Sequence, residues 1–370
     1  MDQIAGDTIM DVVAGTVVQQ GCAEVLDLRS GPDACAPVNG PSPAIGVVLR
    51  VLRRQHEHCI SILLKRLSDG WILWTGWYNA LLDGDAERSM LRFQITASEI
   101  ANAVYDRMVR YSHHHGSDGL FGAIHNVLSH SKTGQAAARA ALCDQALDCG
   151  LARAWLIYTF AVAHAEQHGG LGAADREALE AHCVQAVAAA PDNPIVQAIV
   201  GHIYAFVFRQ AARAEDHHAV ARKLGWHHPL VWTLSAMHAN YNCQSERAYQ
   251  YSWRAMTQSE HSPYRFFFEG PHSISCTLTH RHGKAVALSR QILAKKPMFL
   301  AVMRHMAASQ ALSGDMEAAR ATVDLIRSRD GRFVGSELAG DDYPLPSANS
   351  VAIIGQALSL ADTTSATVQH

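Results

Sequence analysis

No stretch of this 370-residue chain runs for about 18 apolar residues without interruption, so no membrane-spanning helix is expected. Charge is sparse, at 18% of residues, and balances to a formal −3. A nucleic-acid surface needs a basic excess to neutralise phosphates, and the densest basic group, "VLRVLRR", lies inside an apolar run. Direct nucleic-acid binding is therefore not expected. The eight cysteines form no Cys-x-x-Cys pair, and most lie in apolar or helical stretches. Free buried thiols in a reducing compartment fit them better than a stapled secreted domain. The start, "MDQIAGDTIMDVVAG", lacks the basic opening and continuous apolar block of a signal peptide, so cytoplasm is the expected location. Phosphate-cradling and dinucleotide glycine loops and the Gly-x-Ser-x-Gly elbow are missing as well. No catalytic residue and no cofactor is expected, and the chain reads as non-enzymatic. Cys143 and Cys149 read as core positions, and Asp341-Asp342 as a solvated turn.

Aromatics are also scarce, at 7%, yet three of the seven tryptophans crowd into "DGWILWTGWYNALLDGD": Trp71, Trp74 and Trp77. The setting decides what they can do. Residues 3–20 carry apolar positions at helical spacing, "AEVLDL" (23–28) is a short strand candidate, and 29–43 reads as loop. The runs "AIGVVLRVLRR", "CISILLKRL" and "WILWTGWYN" follow, β-branched or aromatic-rich with short connectors, which predicts an antiparallel meander. On a strand, Trp71 and Trp77 share one face and Trp74 takes the other. Three indoles so arranged cannot form one stacking platform, and a wall of a core is the better reading.

From Asp85 onward the pattern becomes helical. Pro229, Pro263 and Pro297 are spaced by 34 residues each, and Pro191 precedes Pro229 by 38. Each interval holds two helical segments with a central break: "CQSE", "RHGK" and "SGDM". A 34-residue period with two helices per unit is the tetratricopeptide (TPR) signature. Trp232, Ala236, Ala248 and Ala255 take its aromatic and small positions in one unit, Gly201 and Tyr204 in the preceding one, and Ala307, Gly314, Asp315 and Ala319 in the last. Upstream, Trp155, Ala186 and Pro191 fit if "HGGLGAAD" is an insertion.

Together the halves predict a mostly α fold: a TPR-like α-solenoid preceded by a small α/β segment with an antiparallel β-meander. The expected divisions are 1–85 for the α/β segment, 86–331 for the repeats, and 332–370 for an irregular tail with one capping helix. The closing "DTTSATVQH" is expected to be disordered.

The landmarks "LSDGWILWTGWYN" and "RFQITASEIANAV" resemble bacterial regulators in which a TolB-like amino-terminal segment precedes a TPR array. Such segments sit downstream of a winged-helix DNA-binding domain, as in CadC/HilA-type regulators, or of a class III nucleotide cyclase domain. The resemblance implies a role in bacterial transcriptional control or signalling, and carries no catalytic residue. Neither the effector domain nor the family's first edge strand is expected within these 370 residues, which fits a stand-alone derivative or one piece of a longer or split gene product. A bare sheet edge would pair with a second copy, giving a homodimer, or with a separate effector subunit.

Twenty-two histidines raise the question of metal. The pairs His217-His218 and His227-His228, the run 113–115, and His280 with His282 do not match ligand spacings, and adjacent helical residues diverge by about 100°. No metal site is expected. The remaining candidate is the concave face of the solenoid. In the repeat register its residues are His202, Phe206, Met237, Asn240, Tyr241, Tyr264, Phe267 and Arg304. They make an aromatic groove for a protein partner or a small effector. Half of them are equally readable as packing between repeats. The alternatives are the regulatory portion of a class III cyclase system and a histidine-rich metal-responsive protein.

Overall fold

The computed structural model describes residues 2–21, 45–54, 57–67, 70–81, 86–114, 120–145, 149–166, 171–260, 262–297, 299–340 and 343–366. The expected strand at 23–28, the loop 29–43 and Asp341-Asp342 lie outside these residues. The fold is mostly helical, with a three-stranded antiparallel sheet on the amino-terminal side. The chain divides into two compact units, Met1–Gly122 with His261–Pro263, and Ala123–Glu260 with Tyr264–His370. The expected boundary at residue 85 falls inside the first unit.

In the first unit, α1 (Asp2–Gly21) leads to the meander β1 (Ile45–Arg54), β2 (Glu57–Arg66) and β3 (Ile72–Leu81), in that order across the sheet. α2 (Ala86–His114) follows. Alternation along β2 turns Ile60, Ile62 and Leu64 into a core with Ile9, Val13 and Val17 of α1 and Ile100, Ala101 and Val104 of α2. Trp74 packs against that core, with the Arg107 guanidinium 5.5 Å from its ring centre, while Trp71 and Trp77 are 69% and 71% exposed. The tryptophan cluster is thus one wall residue and two surface residues.

After α3 (Leu120–Leu128), which straddles the division, the second unit is a run of antiparallel helices. These are α4 (Lys132–Gln145), α5 (Gly150–Ala165), α6 (Ala173–Ala189), α7 (Pro194–Phe206), α8 (Ala211–Leu224), α9 (Pro229–Tyr241), α10 (Ser245–Gln258), α11 (Arg265–Leu278), α12 (His282–Lys295), α13 (Leu300–Leu312) and α14 (Met316–Arg327). The odd-numbered helices from α5 to α13 pack side by side as an inner layer and are buried almost all round. The outer helices bury a single narrow stripe each: Ala214, His218 and Ala221 in α8, Ala248, Ser252 and Ala255 in α10, Ala285, Ser289 and Ile292 in α12. Small residues at one helical spacing let each outer helix lie close on the inner layer.

The turns inside the hairpins repeat as strictly. Arg209, Cys243, His280 and Gly314 all sit in the left-handed region, at φ of 55°, 57°, 58° and 87°. At the last three the next amide donates to the carbonyl five residues back, as Gln244 N does to Ala239 O at 2.9 Å, which closes a Schellman cap. Only one of the four is glycine. An L side chain there costs about 1 kcal/mol, so Cys243→Gly, at an exposed position, is expected to stabilise the protein by about 0.5–1 kcal/mol in urea titration. A lower urea midpoint would contradict this.

Two expectations are corrected. Cys143 is exposed, and Cys149 is no core residue: its Sγ caps α5, accepting from Ala152 N at 3.5 Å. The terminal helix α15 (Ala348–Ala366) continues into the stretch expected to be disordered. Its inner side packs on α13 and α14, where Ile354, Ala357 and Leu358 join the core of the last repeat.

Candidate functional site

Among the described residues the inner helices of the second unit line a cavity that opens to solvent at its mouth. Three features close what would be an open groove. The first is a contact between the two ends of the solenoid. Glu166, just past α5, accepts from Leu300 N at the start of α13 (2.9 Å, to Oε2), 134 positions away. Arg304 of α13 donates from Nη1 to Ala165 O at 3.3 Å.

The second is a row of aromatic contacts near the α3–α4 turn. The His130 ring lies 4.6 Å from that of Phe299 and 5.4 Å from that of Phe267, and His125 Nδ1 is 2.7 Å from the Tyr264 hydroxyl. The third is the chain's own tail. Pro344, Leu345, Pro346 and Ser347 line the cavity, and Arg209 Nη2 holds the preceding stretch by donating to Gly340 O and Tyr343 O, both at 3.2 Å.

Of the eight groove candidates, seven line this one space: His202, Phe206, Met237, Asn240, Tyr241, Phe267 and Arg304. Tyr264 does not; it is buried and pairs with His125. His202, Phe206 and Tyr241 form a stack, with ring centres 5.4 Å apart for the first pair and 5.7 Å for the second. The lining that sequence reasoning missed includes His130, Tyr158, Glu166, Phe299, His305 and the tail residues. The doubled proline of "YPLPS" was a signal for an extended segment, but nothing local shows that it turns back into the groove.

Electrostatically the cavity wall holds one strongly basic side chain, Arg304, and one carboxyl, Glu166. Arg304 is 1% exposed and pairs through Nη2 with Asp330 Oδ2 at 3.3 Å. Asp330 also accepts from the Tyr343 hydroxyl at 2.9 Å. Glu166 is buried too, and burial pushes its carboxyl up to about 7 in spite of the Leu300 amide and the Arg304 charge. Its Oε1 has no hydrogen-bond partner, nor have Asn240 Oδ1, His202 Nδ1 and Arg304 Nε. Burial pushes His202 down to about 3 and His305 to about 4, so both rings are neutral at physiological pH. The Tyr158 and Tyr241 phenols are raised by burial as well.

Three further histidines serve in packing and capping. His218 fills the space under Gly201, where a Cβ would come within 3.1 Å of the ring. His217 points elsewhere, stacking on Tyr204 at 5.5 Å and bonding Gln197 Oε1 at 2.7 Å. His228 Nδ1 caps α9, accepting from Leu230 N at 3.0 Å. Among the described residues no group of three or more His, Cys, Asp and Glu side chains is placed to hold a metal ion. No helix there is long and apolar enough to cross a membrane. No family model matches the chain, and no curated protein matches it in sequence.

Proposed function

We propose that this chain is a non-enzymatic regulatory protein of the TPR type, which takes a small, largely apolar effector into the cavity enclosed by its inner helices. The observation that carries the reading is the occupation of the groove by residues 344–347 of the same chain, which leaves a bounded space in place of a trough. An extended peptide needs a trough open along its length; a compact, largely apolar molecule needs only the bounded space that is left. A protein partner then reads the liganded state from outside the cavity. In keeping with the sequence resemblance, the setting is bacterial transcriptional control or signalling, with the output supplied by another polypeptide.

The test uses the neutral dye N-phenyl-1-naphthylamine, whose emission rises in apolar surroundings. The wild-type chain is expected to bind it, and the Tyr241→Ala, Phe267→Ala double variant to bind it at least about tenfold more weakly, since two large aromatic walls are removed. Equal affinity in both proteins would place the dye elsewhere and sink the reading.

A further inference from the structure

We propose that the effector bears a single protonated amine on an apolar body, with the ammonium group set against Glu166; this rests on the reading of the cavity as an effector site. Three observations carry it. The first is the buried carboxyl itself. Glu166 lines the cavity, and the cation that shares the wall with it, Arg304, directs Nη2 to Asp330 at 3.3 Å and Nη1 to Ala165 O. An unmatched carboxylate in an apolar enclosure is strongly disfavoured, and a cation brought by the ligand removes that penalty.

The second is hydrogen-bonding capacity. Glu166 Oε2 is committed to Leu300 N, but Oε1 accepts from nothing, and the Asn240 carbonyl oxygen is equally unused, its Nδ2 donating to Ser275 Oγ. A ligand that brings donors therefore finds two open acceptors in the wall, and an ammonium group has three donors. The third is the wall itself. Tyr158, Phe206, Tyr241, Phe267 and Phe299 offer ring faces, which attract a cation and also bury a hydrocarbon or aryl body.

Asp330 is already shared by Arg304 and the Tyr343 hydroxyl, so a second ammonium on the same ligand would meet no free carboxylate. One charge at one end is the class that fits. An organic anion set against the Glu166 carboxyl would meet a like charge and is disfavoured there.

Displacement of N-phenyl-1-naphthylamine by three compounds of one shape decides the matter: 3-phenylpropylamine, 3-phenylpropan-1-ol and 3-phenylpropanoate. The amine is expected to displace the dye at a concentration at least about tenfold below the alcohol, with the carboxylate weakest. Glu166→Gln keeps an oxygen for the Leu300 amide and removes the charge, so it should bring amine and alcohol level. The wild type supplies a second readout that needs no variant. The amine's advantage should grow from pH 6 to pH 8 as Glu166 ionises. Facing groups on α5, α7, α9 and α13 do not follow that course: Tyr158 and Tyr241 stay protonated, His202 and His305 stay neutral, and Arg304 keeps its Asp330 partner. His130 also lines the cavity, and a pH dependence that survives Glu166→Gln would assign the effect there and overturn the role of Glu166. Equal displacement by amine and alcohol at pH 8 overturns the cation while leaving the effector site standing. A dye that the double aromatic variant binds unchanged overturns the site itself.

Discussion

Between pH 7 and pH 5 the helical-repeat unit is expected to lose about 3 kcal/mol or more of stability, seen by circular dichroism as a melting temperature roughly 10 °C lower. The cause is the buried histidines. His202 is pushed down to about 3, and His272 and His305 to about 4, in each case mainly because burial disfavours the charged ring; His218 and His228 are held well below 6.5 for the same reason. A base whose folded value lies below its unfolded value of 6.5 gives its full stability above 6.5 and loses it as pH falls below, because the unfolded chain takes up protons that the folded chain refuses. Over this interval each of the three histidines with a stated value contributes a loss of about 2 kcal/mol. Glu166 runs the other way: its folded value near 7 is raised, so the folded chain binds a proton first and regains about 2 kcal/mol on acidification. Histidines outnumber it, so the net sign is destabilising in acid. His218→Ser, which installs the residue found at the corresponding Ser252 and Ser289 of the next two outer helices, should flatten part of the slope. A melting temperature constant from pH 7 to pH 5 would show that these rings already hold a proton or a partner that stabilises one.

The repeat and the meander were legible because each depends on local periodicity. The stripe at Ala248, Ser252 and Ala255 and the alternation at Ile60, Ile62 and Leu64 are set by neighbours within a few positions, and the breaks at "CQSE", "RHGK" and "SGDM" coincide with the hairpin turns. Seven groove positions followed from the same register. What could not be read was closure. Glu166 and Leu300 stand 134 positions apart, and Arg209 and Tyr343 also 134, and no period connects them. Glu166 lies two residues before the insertion "HGGLGAAD", where the 34-residue period is broken, so no register assigned it to the inner face. The tail seemed suited only to a cap, because Tyr343 and Leu345 look like any loop hydrophobics until their partners on α13 and Asp330 are in place. Tyr264 shows the limit from the other side: it stands two residues from the candidate-bearing run of α11, precedes that helix, and turns to His125.

Closure also sets the second large effect. Arg304→Met is expected to destabilise the repeat unit by about 3–5 kcal/mol, because it leaves Asp330 as a buried charge without its cationic partner. Methionine keeps most of the volume, so the loss reports charge and hydrogen bonding more than a hole. Three links go at once: the ion pair with Asp330, the bond from Nη1 to Ala165 O that ties α13 to the end of α5, and the placement of the guanidinium over the Tyr343 ring at 5.3 Å. Arg332 offers little relief, since its Nε is 4.0 Å from Asp330 Oδ1 and the side chain is half exposed. Neutralising the partner should therefore rescue part of the loss. In Arg304→Met, Asp330→Asn the buried charge is gone, while the amide oxygen still accepts from Tyr343. The double variant should be less unstable than the sum of the singles by about 1–3 kcal/mol in urea titration. The tie to Ala165 is not restored by that second change, so dye affinity should stay low in the double variant even as stability returns. Additive losses would mean that Arg304 and Asp330 act separately. Recovery of dye binding along with stability would mean that the cavity needs only a neutral wall, and that the link between the two ends of the solenoid does not shape it.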